Sequence, residues 1–282
     1  MDGIVYSVLN HLLVSLKLAL SQIFILIGPG LILAFLMNLV AGSVETSGYR
    51  LLGRGIYLGV FGWLGTIVHE AGHAGMCIAF RHRITEIEFF NPDPVSGTLG
   101  YVNHSYNRDS IYQTIGNFFI GIGPIILGTI VIYYSARYLV SETLFLPFND
   151  LQISYLNFRS IHALKELLSN VWRSFSFMAT NIFTIENLSR WQFYAFFYIL
   201  FCVGSSMSLS RPDIKGAWSG FSVFFTLLFI MNVIALIFGG ISSSYFVTFT
   251  KYYLVFYAVM VFVILMNTLL AIPLYLLRGL MT

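Results

Sequence analysis

The chain has 282 residues, 57% hydrophobic and 10% charged, with a formal charge of +3. Soluble domains carry roughly 25% charged residues, so this composition excludes an ordinary soluble enzyme and predicts an integral membrane protein. The Lys and Arg residues are scattered, which excludes a nucleic-acid surface, and two cysteines, Cys77 and Cys202, both in apolar runs, exclude a disulfide framework.

Apolar stretches of about 20 residues are the unit of such a chain. Residues 1–20 lack a basic n-region and a small-x-small cleavage site, so they predict a retained segment. The first span is expected over residues 18–41, kinked at Gly28-Pro29-Gly30. A short polar stretch with Glu45, Arg50 and Arg54 follows over residues 42–55. The second span, 56–80, is rich in glycine, which lets neighbouring helices approach closely in lipid.

Inside that second span lies His69-Glu70-Ala71-Gly72-His73. In this H-E-x-x-H pattern two histidines at i and i+4 share one helix face and can reach one metal, while the glutamate serves as general base. With 6 His and 7 Glu in the chain, chance produces the pattern in roughly one of three hundred such sequences. Glu70 is also the sole acid within residues 56–80. A carboxylate at membrane depth costs on the order of 2.5–3.5 kcal/mol, so it marks function. The competing reading, two packed histidines beside an incidental glutamate, buries three ionisable groups without compensation. Cys77, four residues past His73, reads as a small packed residue rather than a ligand.

Arg81-His82-Arg83 ends the span at a membrane surface. Residues 84–89 alternate as a strand does, Asn91-Pro92-Asp93-Pro94 is a turn, and residues 97–102 read as a second short strand. A small β-element beside the metal site is therefore expected. The third span, 111–134, contains Gly123-Pro124. Pro124 has no N–H, so it frees the carbonyl of Ile120 at membrane depth, where protein or water must satisfy it. Residues 135–190 form an extramembrane insert in which Ile161, Leu164, Leu168, Val171, Trp172 and Phe175 fall at helical spacing, predicting an amphipathic helix; His162 reads as a surface residue there. Further spans are expected over 191–209, 217–240 and 253–277. The fold class is thus an all-α membrane bundle of about six transmembrane helices with a small surface β-element and an extramembrane amphipathic insert.

A catalytic zinc takes three protein ligands. If the chain crosses at every span, the loops after the second and fourth spans share one face, and His69 and His73 lie toward it. Asp213, at the exit of the fourth span, is the preferred third ligand. Its other reading is a helix cap. Asp93, Glu86, Glu88, His104 and Asp109 lie on the same side and remain alternatives, Asp93 the best of them.

These features together resemble the site-2 protease family of intramembrane zinc metallopeptidases. The resemblance rests on His69-Glu70-Ala71-Gly72-His73, on the stretch ending Gly100-Tyr101-Val102, on Gly123-Pro124, and on Asp213 with Gly216, in that order along residues 56–240. The family's Asn and Pro upstream of an Asp-Gly pair have no counterpart in residues 205–210, and Asp213 is separated from Gly216 by Ile214 and Lys215. The resemblance implies a divergent member with His69, His73 and Asp213 as Zn2+ ligands and Glu70 as general base. It also implies that Gly100, Tyr101 and Val102 contact substrate by strand addition. On this reading residues 1–55 hold the N-terminal transmembrane segment and its loop. Residues 56–135 and 191–240 are the two halves of the peptidase core, 136–190 the insert, and 241–282 the C-terminal segment.

The expected function is hydrolysis of a peptide bond in or near a transmembrane segment of a membrane protein, with the lipid bilayer as surroundings and no nucleic acid. A metal-binding transporter or a non-catalytic membrane scaffold are the alternatives, since intramembrane acids and histidines also mark ion paths. Lys and Arg are shared almost evenly between the loops of the two faces, so the positive-inside rule sets no orientation. The resemblance implies a multi-pass protein of the cell membrane whose active site opens to the cytoplasm.

Overall fold

The computed structural model describes residues 2–95, 97–149, 161–238 and 243–280. Helices dominate it. The chain begins with α1 (Asp2–Leu26) and α2 (Gly28–Leu52). The break between them falls at Ile27, where the expected Gly-Pro-Gly kink begins. Ile27 still donates to Ile23 (2.8 Å) and accepts from Leu31 (2.9 Å), so helical bonding runs through the break. The helical stretch is longer than the expected span. It continues through residues 42–52, which the polar composition had suggested as a loop, and Val44, Ser47 and Gly48 are buried. Their small side chains turned inward let the helix extend despite the charges of Glu45 and Arg50, both of which are exposed.

After α3 (Arg54–Tyr57), a single π-helical turn (Leu58–Gly62) leads into α4 (Trp63–Ala79), the motif helix. Such turns arise where one extra residue enters an α-helix, often at functional sites. The C-terminus of α4 is a Schellman motif: Arg81 N–H donates to Ile78 O (3.1 Å) and His82 N–H to Cys77 O (2.8 Å). Arg81 occupies the left-handed region at φ 57°, where a non-glycine residue costs about 1–2 kcal/mol. That turn throws the chain out of the helix and into a hairpin.

The hairpin is β1 (Arg83–Glu88) against β2 (Tyr101–Ser105), antiparallel, with Ile87 opposite Val102 and a bulge between Ile84 and Glu86. The expected β-element is therefore present, but its second strand lies further along the chain than residues 97–102. Gly97 has φ 78°, a turn conformation, and residues 97–100 form the end of the loop. Leu99 O and Thr98 O still accept from the N–H groups of Asn91 (2.7 Å) and Asp93 (2.8 Å). Arg54 donates to the carbonyls of Asp93 (3.3 Å) and Pro94 (3.4 Å), tying the hairpin tip to the start of α3.

Next come α5 (Ile111–Leu139), α6 (Leu146–Asn149), α7 (Ile161–Ile182), α8 (Ile185–Leu188), α9 (Trp191–Ser206), α10 (Arg211–Ile237) and α11 (Ser243–Leu280). The insert therefore contains a long helix. Val171 and Phe175 pack against the core and Met178 and Ile182 are buried, whereas Trp172 is 74% exposed and so does not share their face. The side chains of Ile161, His162, Leu164 and Leu168 lie outside those described.

Among the described residues, four stretches are long and apolar enough to cross a membrane: Val5–Leu52, Ile111–Leu139, Arg211–Ile237 and Leu254–Leu277. The stretches expected as the second and fourth spans form shorter helices, α4 with 17 residues and α9 with 16. The π-turn interrupts the first, and the serine-rich run Ser205-Ser206-Met207-Ser208 ends the second. The expected fifth span starts earlier than residue 217: α10 begins at Arg211, with Asp213 in its first turn. Ser210 is a better helix start than any later residue, because its hydroxyl caps the free N–H groups.

α5 is the central helix. In it 61% of the membrane-length window is buried, against 11% in α10 and 12% in the stretch 5–52. It packs on α4, α9 and α10, while α2 packs on α11 and α1 on α10. Between α4 and α5 the backbones touch: a Cβ built on Gly72 would lie 2.6 Å from Gly123 O, and one on Gly123 would lie 2.5 Å from Gly72 O. At the α5–α10 crossing a Cβ on Gly121 would lie 2.6 Å from Asp213 O. Those two crossings bring the motif helix, the proline of α5 and Asp213 to one place.

Candidate metal centre

Asp213 meets the two motif histidines. His73 Nε2 is 3.2 Å from Asp213 Oδ1, His69 Nε2 is 3.8 Å from Asp213 Oδ2, and the two Nε2 atoms are 3.2 Å apart. Among the described residues, His69, His73 and Asp213 are the one group of three or more such side chains whose ligand atoms converge, all within 4.8 Å of one another. Ligand atoms of a tetrahedral metal ion stand about 3.3 Å apart; the His73–Asp213 and His69–His73 separations are close to that and the His69–Asp213 separation is wider, so the group could hold a metal ion.

The hydrogen bonds of the rings fix which nitrogen is available. His69 Nδ1 donates to Ser206 O (2.6 Å) and His73 Nδ1 donates to Ile120 O (2.8 Å). A carbonyl oxygen only accepts, so both protons sit on Nδ1. Two Nε2 lone pairs and a carboxylate then face one point, a donor set that a cation satisfies and that is unfavourable alone. Neither carbonyl has a donor within its own helix. Ser206 is the last residue of α9, and Ile120 is the residue whose carbonyl Pro124 leaves free.

Asp213 is both a helix-cap residue and a neighbour of the motif histidines. Ser210 caps α10, its hydroxyl accepting from Asp213 N–H (3.3 Å), while Asp213 Oδ2 accepts from Ser210 N–H (2.7 Å). This capping box holds one carboxylate oxygen and turns the other toward His73.

Glu70 is buried and lines two cavities that adjoin at His69, Glu70 and Gly100. The larger, about 650 Å³, runs along residues 98–104 of the hairpin and past Asn117 and Asp213. The smaller, about 300 Å³, runs from His69 and Glu70 toward α2. Gly100 forms the roof between them. A Cβ there would lie 2.9 Å from Glu70 Cγ and 2.7 Å from Glu88 O, so only glycine lets the backbone pass this close. Tyr101 and Val102 line the larger cavity. Tyr101 donates its hydroxyl to Glu86 (2.8 Å), and this bond to a carboxylate holds the phenol above its usual range.

The alternative ligands are elsewhere. Glu86 accepts from Tyr101 and Asn103 (3.2 Å), and Asp93 Oδ1 accepts from Val95 N–H (2.9 Å) in the hairpin turn. Glu88 and Asp109 are exposed. His104 contacts His82, Nδ1 to Nδ1 at 3.0 Å. Cys77 is a buried free thiol.

Several site residues carried no signal that sequence reasoning used. Ile120 and Ser206 act through backbone carbonyls, which side-chain identity does not disclose. Asn117, buried on α5, donates to Ser219 Oγ (3.1 Å) beside the larger cavity. A polar amide within an apolar span was its available signal. Compared with known protein families, curated proteins and solved structures, the chain matches none.

Proposed function

We propose that this protein is a membrane-embedded zinc endopeptidase, a divergent relative of the site-2 proteases, that cleaves a peptide bond in or near a transmembrane segment of another membrane protein. The observation that carries this reading is the convergence of His69 Nε2, His73 Nε2 and Asp213 on one point, with Glu70 on the adjoining cavity wall. On this reading α4 and α9 add two spans to the four longer ones. The bundle then has about six, in the cell membrane, with the site opening to the cytoplasm.

His69, His73 and Asp213 would hold the ion. Bound there, zinc supplies Lewis-acid polarisation of the scissile carbonyl and a lowered pKa for water. Glu70 receives the proton of the attacking water on its carboxylate and returns it to the leaving amine. Ser206 O and Ile120 O hold the two imidazoles in the tautomer that presents Nε2. The hairpin supplies the other requirement. A helical peptide bond is shielded by its own hydrogen bonds, so substrate must unwind. The sheet has only two strands among the described residues, and Tyr101, Val102 and Asn103 line the larger cavity. An unwound segment can add along β2 beside Glu70. Gly100 keeps that path open above the base.

The test is cleavage of a single-span peptide in vesicles by the purified chain and by Glu70→Gln. The wild type cuts it. The variant keeps its metal and does not cut. Full activity in Glu70→Gln would overturn the mechanism.

A further inference from the structure

The smaller cavity has an acid that the mechanism does not use. Besides Glu70, it is lined by Glu45 of α2. Glu45 lies seven residues before the end of that helix, about 10 Å along its axis, within a stretch apolar enough to cross a membrane. Its Oε1 accepts from the Tyr49 hydroxyl at 2.5 Å. Tyr49 is held edge-on against Tyr57 with ring centroids 5.1 Å apart, so the carboxylate has a fixed orientation. Among the described residues no Lys or Arg lies within ion-pair distance of it. Arg54 is engaged with the carbonyls of Asp93 and Pro94 instead.

The rest of the wall suits a peptide with a polar side chain. Ser205, Ser208 and Ser210 bring hydroxyls to it, and Leu99 and Gly100 carry it under the hairpin to Glu70. At about 300 Å³ it is at the small end of ligand pockets, enough for one long side chain and its backbone. Transmembrane segments characteristically end in Lys or Arg at the cytoplasmic face.

We propose that the smaller cavity receives the substrate residues on one side of the scissile bond, and that Glu45 is a specificity-determining residue that selects a Lys or Arg side chain there. This rests on the peptidase reading above. The carboxylate replaces the water that a basic side chain loses on entering, an interaction worth about tenfold in selectivity for a hydrogen bond between charged groups. A neutral side chain of the same length leaves Glu45 without that partner.

The experiment uses the full chain in lipid vesicles with synthetic single-span peptides. The peptides carry Lys, Gln or Glu at each of the three positions on either side of the cut. For each enzyme the readout is the ratio of kcat/KM between Lys and Gln peptides, which cancels differences in the amount of folded protein. The wild type favours Lys by about tenfold at one position. In Glu45→Gln the ratio falls to near one, and in Glu45→Lys the Glu peptide becomes the preferred one at that same position. A wild type with no charge preference, or a Lys preference unchanged in Glu45→Gln, overturns the inference while leaving the peptidase reading standing. A wild type that cuts none of the peptides overturns both.

Discussion

His73 donates through Nδ1 to the carbonyl of Ile120 at 2.8 Å, and that carbonyl is available because Pro124, four residues on, has no N–H to fill it. A helix defect in α5 thus becomes the support for the His73 imidazole of α4. The close crossing at Gly72 and Gly123 is what brings the two together.

Pro124→Ala restores an N–H at position 124, and the Ile120 carbonyl then has a competing donor. The helix gains a bond while His73 loses its fixed tautomer. We expect metal affinity to fall by about 10-fold, the lower end for losing an outer-shell partner, with the protein still folded. Zinc competition against a chelator measures this. Unchanged affinity would show that the Ile120 bond does not orient His73.

Gly72→Ala puts a methyl group against Gly123 O at 2.6 Å, where backbone on both sides prevents relief. We expect a loss of about 1–3 kcal/mol, as for overpacking in a filled core, and weakened metal binding because His73 is adjacent. Gly75→Ala is the control: nothing lies within 4 Å of its Cβ, and both properties persist. Thermal unfolding in detergent separates the two. Equal stability of the two variants would contradict the α4–α5 contact.

His104 stands outside the membrane-length helices. Burial holds its pKa below the ordinary imidazole value, and the neighbouring imidazoles His82 and His73 push in the same direction. His82 Nε2 donates to Gln113 O at 2.7 Å, so a neutral His82 accepts at Nδ1 and the shared proton belongs to His104. A lowered pKa means the unfolded hairpin takes up the proton first. The hairpin's stability is therefore full above about pH 6.5 and declines as pH falls toward the folded value. Hydrogen exchange of the β1 and β2 amides across that range measures it, with the His104 ring titration by NMR alongside. Protection that rises as pH falls below about 6.5 would contradict the assignment.

The parts of this arrangement legible in sequence are those written in side chains. The spacing of His69, Glu70 and His73 puts two imidazoles on one helix face, and Pro124 announces an orphaned carbonyl. Asp213 was readable as either ligand or cap. In the structure it is the cap and also lies beside His73, since a carboxylate has two oxygens and Ser210 N–H takes only one. Less was legible in boundaries. Residues 42–52 read as a loop from their charges, but Val44, Ser47 and Gly48 pack inward and keep the helix going. The second strand was placed too early because Gly97 and Gly100 look like strand gaps, whereas one turns the chain and the other passes over Glu70. Glu45 was visible as a charge, but its place beside the motif depends on how α2 lies against the cavity, which no local pattern encodes.

The most direct measurement of the metal centre is metal content in the purified wild type, Asp213→Ala and Asp93→Ala, side by side. One zinc per chain in the wild type and in Asp93→Ala, with loss in Asp213→Ala, is the expected result. A full complement of zinc in Asp213→Ala, or its loss only in Asp93→Ala, would contradict the centre built from His69, His73 and Asp213.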